Sequence, residues 1–230
     1  MKRYAALVIG LAAAVLFVRL GAWQLERRSE RRAFNAAIQT RGEEPPLDPS
    51  QIPHTNEASD SLRFRRAAAS GTFDFGRQLV VMARGHRGNP GVYVVTPLVL
   101  DDSTAVLVVR GWVFSPDGRT VELASLSEPD SAEVRGVLVG VSSLPAVTVA
   151  DSTWPRHVRR VDPEALAPDF PYALHSLVLR RTELPENAPP ILRAVQLPDL
   201  TDGPHLSYAI QWFAFALIAL VGSFLLYRRY

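Results

Sequence analysis

The sequence predicts a membrane protein in which two transmembrane helices flank a mainly antiparallel β domain of sandwich or barrel type. Three observations carry this. Tyr4–Val18 and Leu206–Tyr227 contain no charged side chain. With their flanks, each supplies the roughly 20 apolar residues that a bilayer's hydrocarbon layer demands. Between them, short Val- and Leu-rich runs recur, bounded by Gly, Pro or Asp/Ser clusters, which is the pattern of strands and turns.

The first span covers residues 4–23. Arg19 lies close enough to its end for the guanidinium to reach water. A basic start followed by an apolar run also fits a signal peptide. However, no small-x-small cleavage pattern follows, and Leu20–Trp23 lead straight into a charged stretch, so an uncleaved anchor is expected. Residues 24–42 predict a helical extension. Trp23–Gln39 holds no proline or glycine, Glu26 and Glu30 lie three or four positions from arginines, and Gly42 reads as the stop. Residues 43–61 are rich in proline and polar side chains and read as a linker.

Residues 62–203 form the expected β domain, with strands at 62–73, 77–84, 91–100, 104–114, 132–141 and 172–182. Asp101-Asp102-Ser103 should turn Val92–Leu100 back onto Thr104–Val113 as a hairpin, and Arg84–Gly91 should form another turn. About 120 residues suffice for one hydrophobic core. The second span covers 204–227 and stops at Arg228 and Arg229. Lys2, Arg3, Arg228 and Arg229 place both termini in the cytoplasm by the positive-inside rule. Arg27, Arg28, Arg31 and Arg32 pull the other way, but long inserted domains cross largely regardless of charge. The expected location is therefore the plasma (inner) membrane, with the central domain on the outer or periplasmic side.

Composition excludes several functions. With no cysteine, there is no disulfide framework, no C-x-x-C-H haem attachment and no thiolate metal centre. Met1 and Met82 are the only methionines, which removes the thioether ligands of a copper carrier. A net charge of +2 and the lack of any recognition motif argue against nucleic acid. No G-x-S-x-G elbow, phosphate loop or i, i+4 histidine pair occurs, so no catalytic site is expected. His54, His86, His157 and His175 read as surface or strand residues. A hydrolase would require His86, His157 or His175 to meet Ser and Asp in a cleft.

His205 stands apart because of its place. Pro204 presets the first helical turn and Asp202 is positioned to cap it. His205, Tyr208, Ala209 and Trp212 fall on one helical face. Two readings fit: an ordinary interfacial aromatic belt, or an imidazole ligand beside a flat macrocycle. Trp23 lies at the matching depth of the first span and fits either. So do Arg27 and Arg28, as propionate partners or as solvated helix residues.

GAWQLERRSERR at 21–32, GVYVVTPL at 91–98, VLVVRGWV at 106–113 and HLSYAIQWFAFA at 205–216 together resemble the Surfeit-locus family of cytochrome-oxidase assembly proteins. The stretch Trp154–Asp162 resembles a later family segment loosely, and Val109 stands where the family commonly has asparagine before RGW. The resemblance implies a non-enzymatic helper of haem–copper oxidase biogenesis. Its bacterial members are reported to bind haem A and are thought to present it to the catalytic subunit. It implies His205 as the iron ligand, haem A as a transient cofactor, and the oxidase catalytic subunit, haem A synthase and membrane lipid as partners. Trp23, Tyr208 and Trp212 as pocket walls, and Arg27 as propionate partner, are expected from depth and face. The helices would then form a cleft, helped by close approach at Gly10, Ala12, Ala13, Ala14, Ala209, Ala214, Ala216 and Ala219. Its polar mouth would lie at Gly21–Arg28 and Pro204–Trp212. The alternative is a cofactor-free scaffold gripping oxidase subunits through the β domain. Changes at Arg110 or Trp112 would then break subunit association without unfolding.

Overall fold

A computed structural model describes residues 2–52, 61–140, 153–195 and 200–229. The chain divides into two units, Met1–Gln39 with Asp199–Tyr230, and Thr40–Pro198. The helices are α1 (Lys2–Glu43), the single turn α2 (Pro163–Leu166) and α3 (His205–Arg229).

In the helical unit, α1 and α3 lie antiparallel. Tyr4 meets Tyr227, Phe17 meets Trp212, and Arg28 meets Asp202, so the numbers rise on one helix as they fall on the other. On α1 the buried Gly10, Ala14 and Gly21 alternate with half-buried Leu7, Phe17, Gln24 and Arg28, at steps of three and four. On α3 the buried Ala209, Ala216 and Ser223 recur every seventh residue, with half-buried His205 before them and Trp212 and Ala219 between them. A period of 3.5 residues is a coiled-coil seam. Small residues let the helices touch: a Cβ on Gly10 would lie 2.2 Å from Ser223 Cβ. Ala12 and Ala214, expected at this contact, face outward instead, because they fall between the seam positions.

The opposite faces carry large apolar side chains left uncovered, such as Ile9 at 68% and Ile218 at 65% exposure. In water such a display is costly, whereas in hydrocarbon it is not. Both helices are long and apolar enough to cross a membrane.

The second unit contains β1 (Arg66–Phe73), β2 (Leu79–Val81), β3 (Gly91–Val99), β4 (Thr104–Phe114), β5 (Ser131–Val139), β6 (Arg156–Val158), β7 (Ala173–Leu174) and β8 (Val178–Arg181). β3 and β4 pair along their length as the expected hairpin, from Gly91↔Phe114 to Val99↔Ala105. β4 then pairs with β8 in parallel, β8 with β5, β5 with β1, and β1 returns to β3 at Phe73↔Leu98. The ring closes, so among the described residues the β domain is a five-stranded barrel, and closure removes the exposed edges a sheet would leave. β2 occupies the rest of β3's edge and carries β6, while β7 pairs with the start of β4.

β4 is buried on both faces. Ala105, Leu107 and Val109 join one apolar cluster, and Val106 and Val108 join another, which explains its unbroken apolar run. Asp101 makes the hairpin turn by accepting from Ser103 N and Thr104 N, both at 2.8 Å. In the turn before β3, Arg87 and Gly88 both have positive φ, the two-residue geometry that matches strand twist.

Two strand expectations need correction. The segment 172–182 is broken into β7 and β8 around His175, and β6 had no counterpart among the expected strands. Residues 43–52 of the Pro-rich stretch contribute to the barrel: Leu47 N donates to Arg66 O, Leu47 O accepts from Ala68 N, and Ile52 is a buried core residue. His54 lies outside the described residues.

Candidate functional site

The polar end of the helical hairpin is built by arginines that follow the first span. Arg28 and Arg32 donate through Nε to Asp202 Oδ2 at 3.2 and 2.7 Å. Arg31 Nε and Asn35 Nδ2 donate to Thr201 O at 3.4 and 3.1 Å. Asp202, expected as a helix cap, is thus a clasp that ties the approach to α3 onto α1. The hydrogen bond from Arg32 is the main reason its carboxyl titrates below the ordinary range, opposed by desolvation and aided by both guanidinium charges. Gly203 turns the chain with φ of +70°, and α3 starts two residues later.

At that start, His205 Nδ1 lies 2.8 Å from Gln24 Oε1. The amide oxygen can only accept, so Nδ1 is the donor, and in the neutral ring it is Nε2 that carries the lone pair. An imidazole whose outer N–H is fixed by a neighbour, with the other nitrogen left basic, is the usual form of a metal-ligating histidine. Nε2 lies near Gly203, where a Cβ would be 3.5 Å from it.

The other expected site residues divide. Trp23, at 51% exposure, and Tyr208, at 47%, face outward. Trp212 is committed to the helix seam, stacked on Phe17 at 5.7 Å and edge-on to Phe215 at 5.9 Å. Arg27 pairs with Glu30 at 2.5 Å. The expected cleft between the helices is filled, because a Cβ on Gly21 would lie 2.6 Å from the Phe213 ring. Gln24 was missed by sequence reasoning. Its signal was spacing: it stands three residues after Gly21 and four before Arg28, in the seam rather than on the charged face.

The family-like motifs of the β domain prove to be structural. Arg110 is wholly buried and Trp112 nearly so, hence neither is a docking surface and the scaffold expectation for them is overturned. Arg110 donates from Nε and Nη2 to Glu128 Oε1 at 3.0 and 2.8 Å, from Nη1 to Gln78, and from Nη2 to Leu126 O. Arg181 donates to the other Glu128 oxygen at 2.7 Å. Burial pushes the Arg110 pKa down and Arg181 adds to this, while Glu128 opposes both. The Trp112 indole donates to Arg84 O at 2.7 Å and fills the space above Gly91, whose Cβ would lie 2.4 Å from the ring. The glycine of GVYVV and the tryptophan of RGW therefore answer each other across the hairpin.

The histidines of this unit also depart from the surface reading at one position. His175 is buried and its Nδ1 lies 2.8 Å from Ile52 O, which holds residues 47–52 to the barrel. His86 packs against Trp112 at 5.0 Å, and His157 lies in β6. Among the described residues there is no group of three or more His, Cys, Asp or Glu placed to hold a metal ion.

Known proteins match the chain over most of its length. It is 26% identical to a "SURF1-like protein" of Rickettsia bellii over 94% of this chain and 87% of that one. It is 25% identical to a "SURF1-like protein" of Rickettsia felis over 96% of both chains. It is 27% identical to the "Cytochrome oxidase assembly protein SHY1" of Saccharomyces cerevisiae, over 56% of this chain and 34% of the yeast protein. The SURF1 family profile matches residues 11–217, from within α1 through the seam of α3, and the chain belongs to the SURF1 family.

Proposed function

We propose that the protein assists cytochrome oxidase assembly by holding haem A through His205 Nε2 at the polar end of the helical hairpin. Family membership and the yeast relative's name support the assembly role. The observation that carries the ligand assignment is the His205–Gln24 hydrogen bond. It orients the imidazole, fixes its tautomer and leaves one basic nitrogen at a half-exposed position. The residues fit such a cofactor on the hairpin's outer surface, not between the helices. Trp23 and Tyr208 offer aromatic faces there, and Arg27, paired with exposed Glu30, can exchange that weak surface pair for a propionate.

Bound haem supplies an iron that accepts a nitrogen ligand and a long apolar body that belongs in lipid. Holding the group through a single histidine, His205, would suit a carrier that must release its load. The oxidase catalytic subunit is the receiver in this reading, and a haem A-making enzyme the donor. The protein would sit in the inner membrane with its β barrel on the outer side and both termini in the cytoplasm.

Expression in cells that make haem A, purification in detergent and a reduced-minus-oxidised spectrum test the ligand. Wild type should retain haem A, His205→Ala should lose it, and Gln24→Leu should retain less with a shifted band. Equal haem content in wild type and His205→Ala would overturn the ligand assignment. Absence from both would favour a cofactor-free scaffold.

A further inference from the structure

The β barrel holds a second feature that the helical hairpin does not explain. A cleft of about 250 Å³ is lined by arginines 84, 160 and 180 together with Tyr93 and an apolar floor that includes Val109 and Val178. Among the described residues, none that lines it is acidic. Arg63 lies across the wall residue Gly140, where a Cβ would fall 2.0 Å from the guanidinium Nε, so a fourth cation borders the space.

Arg180 is the unusual member. On β8, successive side chains point to opposite faces. Arg181 takes one face and pairs with Glu128, which leaves Arg180 on the other, between β4 and β5 opposite Val109 and Val137. Among the described residues Arg180 has no ion pair, and its Nε is buried with no hydrogen-bond partner. The Nε of Arg84 is likewise buried without a partner. Arg84 otherwise donates to Arg159 O and lies 5.8 Å from the Tyr93 ring centre. Arg160 has a carboxylate, Asp162 Oδ2, at 3.3 Å. Burial lowers the Arg180 pKa and the Arg84 charge adds to this, with Tyr93 opposing, yet a guanidinium stays charged at any physiological pH.

A half-buried cation whose Nε is shielded from water, beside a like charge, is costly unless something answers it. An apolar replacement on a barrel strand would be cheaper, so the arginine reads as retained for a ligand. We propose that this cleft binds an oxyanion group, carboxylate or phosphate, carried on a ligand with a short apolar body. The guanidinium forks meet the oxygens in bidentate fashion, and the valines and Tyr93 take the body. The site is independent of His205 and of the haem reading.

The test uses the full chain in detergent, with butyrate, butyl phosphate and inorganic phosphate as probes against chloride at matched ionic strength. Thermal unfolding and titration calorimetry are the readouts. Butyrate or butyl phosphate should raise Tm saturably in wild type, more than inorganic phosphate does, and the stronger of the two identifies the headgroup. Arg180→Gln should weaken that binding at least about tenfold, the loss of one charge-assisted contact. Arg180→Met should melt higher than wild type without probe and gain nothing from it. Arg84→Gln should weaken binding without that gain, which keeps the test valid if Arg180 variants fold poorly. No stabilisation of wild type beyond chloride, or equal stabilisation of wild type and Arg180→Gln, overturns the proposal. His205-dependent haem content should be the same in all these variants, so the two sites fail or stand separately.

Discussion

Glu128 holds two buried guanidiniums at once, and the triad it forms with Arg110 and Arg181 carries a surplus positive charge. The surplus is met by aromatic faces and by neutral acceptors. Arg110 lies 5.0 Å from the Phe75 ring centre and 5.7 Å from Phe73, and Arg181 lies 5.6 Å from Phe73 on its own account. Gln78 Oε1 accepts from both Arg110 and Thr96. This predicts an asymmetry between substitutions. Glu128→Gln leaves two buried cations without their anion and should cost about 3–5 kcal/mol. Arg110→Met leaves Glu128 still paired with Arg181 and fills much of the space, so it should cost less, about 1–3 kcal/mol. Urea unfolding of both variants checks the order, and a larger loss for Arg110→Met would contradict it. The sequence showed Arg110 only as a charge in an apolar strand; its partner lies 18 positions away in an irregular segment, where no periodicity could reveal it.

At the scale of elements, the seam and the turns are where local sequence speaks most directly. Gly10 was legible as a close-contact residue, whereas Ala12 and Ala214 misled because smallness was weighed without the 3.5-residue period. Gln24 is the same lesson for the site: His205 was legible from its family motif, but its partner only from the seam. The contact predicts that Gly10→Ala destabilises the hairpin by about 1–3 kcal/mol, the usual cost of overpacking. Ser223→Gly combined with it should recover most of that loss, because the new Cβ meets Ser223 Cβ. Thermal melts of the four-member cycle in detergent measure the coupling, and strict additivity would refute the contact.

The β3–β4 turn makes a pH prediction. The Thr104 hydroxyl, with the Ser103 amide and hydroxyl, holds the Asp101 carboxyl down at about 2 from an ordinary 3.8. A depressed carboxyl adds stability that is complete above its ordinary pKa and lost as pH falls through the folded one. The loss therefore belongs to the window from 3.8 down through about 2, and Asp101→Asn should flatten the acid limb there.

The whole molecule couples an apolar hairpin to a closed barrel, and only part of that was visible in advance. The apolar ends and the strand runs were legible because each is a local pattern. Barrel closure was not, since it depends on the parallel pairing of β4 with β8, some 70 residues apart in sequence, and on β1 returning to β3. Orientation rests on the same global scale. Arg27, Arg28, Arg31 and Arg32 crowd the segment that follows the first span, and by the positive-inside rule they oppose the orientation that Lys2, Arg3, Arg228 and Arg229 favour. In the folded hairpin Arg28 and Arg32 share Asp202, and Arg27 has Glu30, so the opposing cluster is largely answered by partners of its own. With the barrel outside, this partnered cluster would face the periplasm and the terminal basic residues the cytoplasm. The chain has no cysteine, so single introduced thiols report the side cleanly. Asp102→Cys, on the exposed tip of the β3–β4 turn, should react with a membrane-impermeant maleimide in intact spheroplasts. Arg229→Cys, at the end of α3, should react only after lysis. Labelling in the reverse order would invert the topology and move His205 to the cytoplasmic face.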